Sequence, residues 1–407
     1  MPEPYQNLWQ PPIDSLPDLL WEVMIVGAGP AGSMAALHLA SRGHKVLLID
    51  KQRFPRDKIC GDGLIPDAIR CLQRAGLYEK VSKVGWKTKE ITAFSPSRIR
   101  FEVPGDFLTV KRLILDEIIA REAVSKGATF CQGTVQAISR DPDGMIRASF
   151  SESPQQVRAR IGMIATGADI SLLKNLGMVS HLRASAVALR CYVRSSFNLN
   201  QLVISFDRSI IPGYAWIFPI SRDEYNVGCG MAYRNGAKTK GNLKEIFHTF
   251  VAEFPLAREL MKQGEILTPL QGALLRCGLK GSYPFKGRNI LAIGETIGAT
   301  FPFTGEGIGK AMETGELAAS IVHKSLVEGN FQYLHEFPRL LEEELRPRYL
   351  GYQIAENWLS KAWLNDLIAR RAQKSRFLQN AFAGIITETV DPRTVFSVWG
   401  ILKSLWR

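Results

Sequence analysis

The chain has no run of about 18 uncharged apolar residues, so no membrane-crossing helix is expected from it. Its six cysteines (60, 71, 131, 191, 229, 277) include no CxxC pair. That argues against a disulfide framework and a structural zinc, and it suits a reducing cytoplasm. The six histidines form no HxH or HExxH pattern, so no metal site and no Ser-His-Asp arrangement are expected. Basic residues are not interleaved with aromatics, which disfavours nucleic acid as a partner. The opening "MPEPYQNLWQPPIDSLPDLL" lacks a basic n-region and reads as an irregular arm rather than a signal peptide. What is present is an ordinary globular composition: 407 residues, 46% hydrophobic, enough for two domains or one large core with insertions. The net charge of +12 either keeps the protein in solution or attracts anions, such as phosphorylated cofactors or an acidic membrane face.

The sharpest local signal is "LWEVMIVGAGPAGSMAALHLASRGHKVLLIDK" (20–51). A short apolar strand runs into Gly27-Ala28-Gly29-Pro30-Ala31-Gly32, a helix follows, and a second strand ends in Asp50. Gly27 allows the tight turn, Gly29 lets the backbone approach a pyrophosphate, and Gly32 lets helix and strand pack closely. Asp50 follows Gly32 by 18 residues, the spacing of a carboxylate that holds a ribose 2′-OH. The acid disfavours a 2′-phosphate, which points to FAD or NAD rather than NADP.

A second glycine-rich helix start appears far downstream, "GETIGATFPFTGEGIGKA" (294–311), directly after the buried strand "NILAIG". Between the two lie amphipathic helices over 65–77 and 110–128, strands over 129–164, and alternating patterns from about 184 to 276 that predict an antiparallel sheet. From 306 the chain reads as mostly helical. The simplest arrangement brings the late loop back beside the first, so that the two hold opposite ends of one long cofactor. The predicted fold class is α/β. A Rossmann-like FAD-binding domain (20–183 and 277–330) is interrupted by a sheet-rich substrate domain (184–276) and followed by a helical C-terminal region (331–407).

Several motifs stand together in order: "VGAGPAGS" with "IDK", "KICGDGL", "VKRLILDEII", "IATGAD", "PGYAWIFP" and "LAIGETIGATFPFTGEGIGKAM". Over roughly residues 20–350 this series resembles the FAD-dependent geranylgeranyl reductase family, within the group that includes aromatic flavin hydroxylases and flavin-dependent halogenases. The resemblance implies that Gly27, Gly29 and Gly32 meet the FAD pyrophosphate and Asp50 the adenosine ribose. It places Arg112 along the cofactor, Val135 with its backbone at the adenine, and Gly61 against the cofactor in the "CG" turn. Glu295 stands where most relatives have an aspartate bonded to the ribityl chain. Gly307 and Ile308 would offer N–H groups to the flavin pyrimidine edge, where a helix N-terminus stabilises the negative charge of the reduced ring.

Family members reduce isolated C=C bonds, which takes a hydride and a proton. Cys60, in the loop along the flavin, is the catalytic candidate as proton donor or polar gate, or else a small packed thiol. Tyr214 and Trp216 share one face of a strand and are expected to wall an apolar substrate pocket. A halogenase would carry Trp at both positions, so the Tyr counts against halogenation. No second dinucleotide fingerprint exists, so NAD(P)H is expected only as a transient electron donor. The resulting expectation is an FAD-dependent reductase of C=C bonds in an isoprenoid or similarly apolar substrate. The alternatives are an FAD-dependent monooxygenase and a non-catalytic flavin-binding partner protein. At the C-terminus Phe396, Trp399, Leu402 and Trp406 recur at helical spacing beside Lys403 and Arg407. They read either as a docked last helix or as a peripheral membrane contact.

Overall fold

The computed structural model describes residues 9–233, 242–287, 289–397, 399–400 and 403. Its centre is a parallel sheet in the spatial order 129–132, 46–50, 20–26, 156–164, 290–292. Val46–Asp50 is buried along its whole length, as a strand covered on both faces must be, which is why it reads as an unbroken apolar run. A hairpin-like flap of strands 135–140 and 146–150 pairs antiparallel onto the first half of strand 156–164. Helix Pro30–Ala40 connects the two earliest strands and packs between helices Arg112–Ser125 and Ile308–Val327. It starts at Pro30, whose missing N–H is one the first turn would leave unpaired anyway.

Strand order reverses between 20–26 and 156–164, so a crevice opens beyond their carboxyl ends, the place where such sheets bind ligands. Residue 27 and residues 165–167 form its lips, and the 3₁₀ turn Gly294–Ile297 joins them from the neighbouring strand.

The second sheet runs in the order 264–266, 186–195, 224–232, 214–219, 202–205, 86–94, 100–109, 63–64, with 271–275 also paired to 186–195. It therefore takes in strands well outside the 184–276 stretch. All its pairs are antiparallel except 202–205 against 86–94. One face carries Cys191, Val193, Ile217 and Val227 and is covered by helices Leu243–Glu253 and Pro255–Lys262 through Phe247, Phe250 and Phe254. The other face looks toward the first domain's crevice.

Helices Ala362–Ala372 and Arg376–Ile386 pack against strand 100–109, and helix Arg346–Leu359 packs beside the first of them. Asp366 ties them down, accepting from Ser95 Oγ (2.6 Å), Ser97 N–H (2.8 Å) and Ser97 Oγ (2.7 Å). Phe396 is buried against Trp358 and Phe382, so it belongs to the packed core and not to an exposed membrane-facing stripe. Trp399 is exposed, and Leu402, Trp406 and Arg407 lie outside the described residues. Among the described residues no helix is long and apolar enough to cross a membrane.

Candidate active site

A cavity of about 1300 Å³ fills the space between the two sheets. That is above the ~300–1,000 Å³ of an ordinary small-molecule site, room for a dinucleotide and a second molecule. Gly27, Gly29, Asp50, Cys60, Gly61, Arg112, Val135, Tyr214, Trp216, Glu295, Gly307 and Ile308 all line it. Of the residues singled out in the sequence, Gly32 stands behind the wall, and its task is packing. A methyl there would come within 1.9 Å of the Gly27 carbonyl oxygen.

The first loop is built for an anion. Gly27 sits at φ +105°, and a side chain there would strike the Ala165 carbonyl at 2.3 Å. Helix Pro30–Ala40 starts at Gly29 with no side chain capping its free N–H groups. Nothing lies nearer the open face of Gly29 than the guanidinium groups of Arg56 (3.8 Å from a built Cβ) and Arg112 (4.0 Å). Both arginines are held in place from behind by buried Asp116: Arg112 at 2.7 and 2.9 Å, Arg56 at 3.0 Å. An uncapped helix start faced by two guanidinium groups has the chemistry to cradle an anion such as a pyrophosphate. Asp50 accepts from Ala28 N–H and Gln52 N–H, both at 2.9 Å, which fixes the carboxylate at the cavity edge. Arg56 is a member of this cradle that sequence reasoning missed; only its nearness to "IDK" hinted at it.

The second glycine stretch enters the same cavity from the other side. Glu295 Oε1 accepts from Arg276 N–H at 3.3 Å, and its Oε2 stands beside Gly167 across the crevice. Glu295 is thus bonded to the Arg276 backbone through one oxygen and packs against the Gly167 lip with the other. Helix Ile308–Val327 starts at Gly307, again with no side-chain cap, so a second set of free N–H groups faces the cavity. Two uncapped helix starts and a cationic pair in one long cavity fit a long anionic cofactor such as FAD.

Between the two starts runs the Cys60–Gly63 loop, held by a buried polar network that the sequence did not reveal. Asp62 adopts φ +63° and accepts from Tyr192 Oη (2.6 Å), Asn226 Nδ2 (2.8 Å) and Arg112 N–H (3.2 Å). Asn226 also donates to the Cys60 carbonyl (2.8 Å) and accepts from Trp216 Nε1 (2.9 Å). One asparagine thereby locks loop, aromatic wall and acid together. Burial pushes the Asp62 carboxyl up to about 6, against the hydrogen bonds of Tyr192 and Asn226 and the charge of Arg190. Burial likewise pushes the Cys60 thiol up, with Arg112 opposing, so Cys60 is a neutral thiol and not a thiolate. The only local hint of this network was an acid squeezed between two glycines in "CGDG".

The aromatic wall is the face of strand Tyr214–Pro219 that carries Tyr214, Trp216 and Phe218. Ala215 and Ile217 point to the opposite core, as the two-residue period requires. Tyr214 donates to the Thr304 carbonyl, joining this wall to the second glycine stretch. Gly228 makes room for Trp216, because a Cβ there would meet the indole at 2.3 Å. Gly61 lies under the same indole, with Trp216 Cε2 3.6 Å from a built Cβ.

Residues 21–168 match the FAD binding domain family, and residues 185–272 match the geranylgeranyl reductase catalytic domain. A menaquinone reductase of Mycolicibacterium smegmatis is 30% identical over 340 residues, covering 79% of this chain and 80% of that protein. A digeranylgeranylglycerophospholipid reductase of Methanosphaera stadtmanae is 26% identical, covering 81% of this chain and 85% of that one. Among solved structures, a geranylgeranyl bacteriochlorophyll reductase-like protein of Thermoplasma acidophilum superposes with a TM-score of 0.76 at 21% identity, covering 96% of both chains. A flavin-dependent brominase superposes with a TM-score of 0.75 at 20% identity, covering 95% of this chain and 98% of that one, a likeness of fold. The chain belongs to the geranylgeranyl reductase family of FAD-dependent oxidoreductases.

Proposed function

We propose that the protein reduces C=C bonds in the isoprenoid chain of an apolar molecule, such as a polyprenyl quinone or a geranylgeranyl lipid. The observation that carries this reading is the cavity itself. One part of its wall carries Gly29, Arg56 and Arg112, and another is an aromatic stretch of Tyr214, Trp216 and Phe218. A long apolar chain gains from such a wall through burial, about 25 cal/mol per Å². The names of the reductase relatives point to the same substrate class.

Within this reading Gly29, Arg56 and Arg112 take the FAD pyrophosphate, Gly27 and Gly32 shape the loop, and Asp50 takes the ribose. Val135 presents backbone at the adenine end and Glu295 a carboxylate to the ribityl hydroxyls. Gly61 lies against the ring, and the N–H groups of Gly307 and Ile308 meet its pyrimidine edge. When bound, FAD supplies two electrons and one hydrogen as a hydride equivalent, replenished by NAD(P)H or another donor that visits transiently. Tyr214 and Trp216 hold the chain flat over the reacting position and keep water out. Cys60, a neutral thiol at that position, acts as a gate that touches the chain.

Anaerobic stopped-flow absorbance tests the reading. Flavin reduced in the purified protein is mixed either with a polyprenyl quinone or with oxygen. Fast reoxidation by the quinone, with two hydrogens added across a C=C bond of the isoprenoid chain rather than to the quinone ring, is the expected outcome. Reoxidation by oxygen alone, with a hydroxylated product, would replace the reductase with a monooxygenase.

A further inference from the structure

The opening arm has no part in the site described so far, and it precedes residues 21–168, the stretch that matches the FAD binding domain family. From residue 9 on it is nevertheless packed down, with Gln10, Ile13 and Leu16 all buried. Trp9 sets its ring against Phe54 and Phe130, at centroid distances of 6.1 and 5.1 Å, and the Arg121 guanidinium lies over it at 4.1 Å. The Pro11 carbonyl accepts from Gln132 N–H at 2.8 Å, and Ile13 stands against Gly133, 3.3 Å from a built Cβ. Gly133 N–H in turn reaches the Asp50 carbonyl at 3.0 Å. The arm therefore braces the ends of two paired strands, 46–50 and 129–132, where Asp50 and Gly133 line the cavity.

Gln10 makes the tie to the loop that follows Asp50. Its Nε2 donates to the Gln52 carbonyl (2.9 Å), and its Oε1 accepts from Phe54 N–H (2.8 Å). One partner accepts and the other donates, so a single orientation of the amide satisfies both. Two residues further on comes Arg56. Its guanidinium lies over the Phe54 ring, 4.6 Å from the centroid, while it pairs with Asp116 at 3.0 Å and faces Gly29. Phe54 is thus shared: the arm holds its N–H and its ring, and Arg56 rests on that ring. A guanidinium already in position loses less freedom when an anion arrives than one the anion must order.

We propose that the arm is a strap behind the adenosine end of the FAD site, in which Gln10 is a positioning residue acting on the cofactor through Phe54 and Arg56. This rests on Arg56 meeting the FAD pyrophosphate. The strap stands behind the cavity wall, so its contribution is to hold the loop ready. That contribution belongs to the affinity for the adenosine-pyrophosphate half of the cofactor, which ADP shares with FAD.

Titrations of the apo-protein with FAD, by flavin fluorescence, and with ADP, by calorimetry, test the assignment. Q10M keeps the bulk of the side chain without its amide and should weaken both ligands about tenfold. R56A should weaken both about tenfold or more. In the R56A background Q10M should change either affinity by less than about twofold, because residues that act as a unit are not additive. Q10N, one methylene short of its partners, takes the place of Q10M if that variant does not fold. An unchanged affinity in Q10M, a loss for FAD without one for ADP, or an equal loss with and without Arg56 overturns the strap. An R56A that binds FAD as tightly as the wild type refutes the place of Arg56 at the pyrophosphate, and the strap falls with it. A weakened R56A beside an unaffected Q10M refutes the strap alone.

Discussion

Asp62 offers a measurement of the loop network that does not depend on turnover. Its carboxyl is pushed up to about 6 in the folded protein, against about 3.9 in an unfolded chain. A carboxyl raised on folding stabilises the folded state when protonated. Its contribution is therefore complete below about pH 4 and is lost as pH rises through about 6. The two-unit difference corresponds to about 3 kcal/mol over the full window, at 1.36 kcal/mol per unit. Between about pH 5 and pH 7.5 the wild type should lose roughly 1.4 kcal/mol relative to a protein lacking the titration. D62N supplies that reference, since Asn tolerates the left-handed backbone the position requires. The assay is urea unfolding followed by tryptophan fluorescence, with wild type and D62N compared at each pH so that every other group cancels. The stability of wild type relative to D62N should fall as pH rises. A difference that stays flat from pH 5 to 7.5, or that grows, would show that Asp62 is ionised throughout and that burial does not govern it.

Other perturbations separate holding the fold from holding the cofactor. N226A removes a donor from the Asp62 carboxylate and from the Cys60 carbonyl and an acceptor from Trp216; leaving buried groups unpaired should cost about 3–5 kcal/mol in denaturant unfolding. G29A should leave the unfolding midpoint unchanged, since its methyl meets only ordinary van der Waals contacts with Arg56 and Arg112. It should weaken FAD binding about tenfold or more by fluorescence titration, because the pyrophosphate can no longer approach the backbone. G32A should do the reverse and destabilise the apo-protein by about 3 kcal/mol, as its methyl overlaps the Gly27 carbonyl. E295Q keeps an acceptor for Arg276 N–H but gives up a charged hydrogen bond, about 1 kcal/mol or a fivefold rise in FAD Kd.

How much of this could be read from the chain depended on distance along it. The first cradle is local: glycines two and five residues apart and an acid 18 residues on report a turn, a helix start and a strand end from one continuous segment. The period-two face of Tyr214 and Trp216 is local too, and so is the glycine-rich opening of helix Ile308–Val327. Strand Trp86–Phe94 shows the opposite case. Pairing with 202–205 and 100–109 decides which sheet it joins, and pairing is a contact between segments that no local pattern specifies. Phe396 has the spacing of an interfacial stripe, yet rings from two other helices bury it.

The sequence by itself determined the first glycine turn with its helix start and Asp50, the order of strand-loop-helix units and the shared face of Tyr214 and Trp216, because those follow from backbone geometry over short stretches. Only the tertiary structure decided what state the acids are in. Asp62 meets Tyr192 and Asn226 across more than a hundred residues, and Glu306 meets Asp67 and Lys310 in a pocket whose charges come from four separate helices and turns. Whether a carboxyl keeps its proton depends on its lost water and its neighbours' charges, and both exist only once the chain has folded.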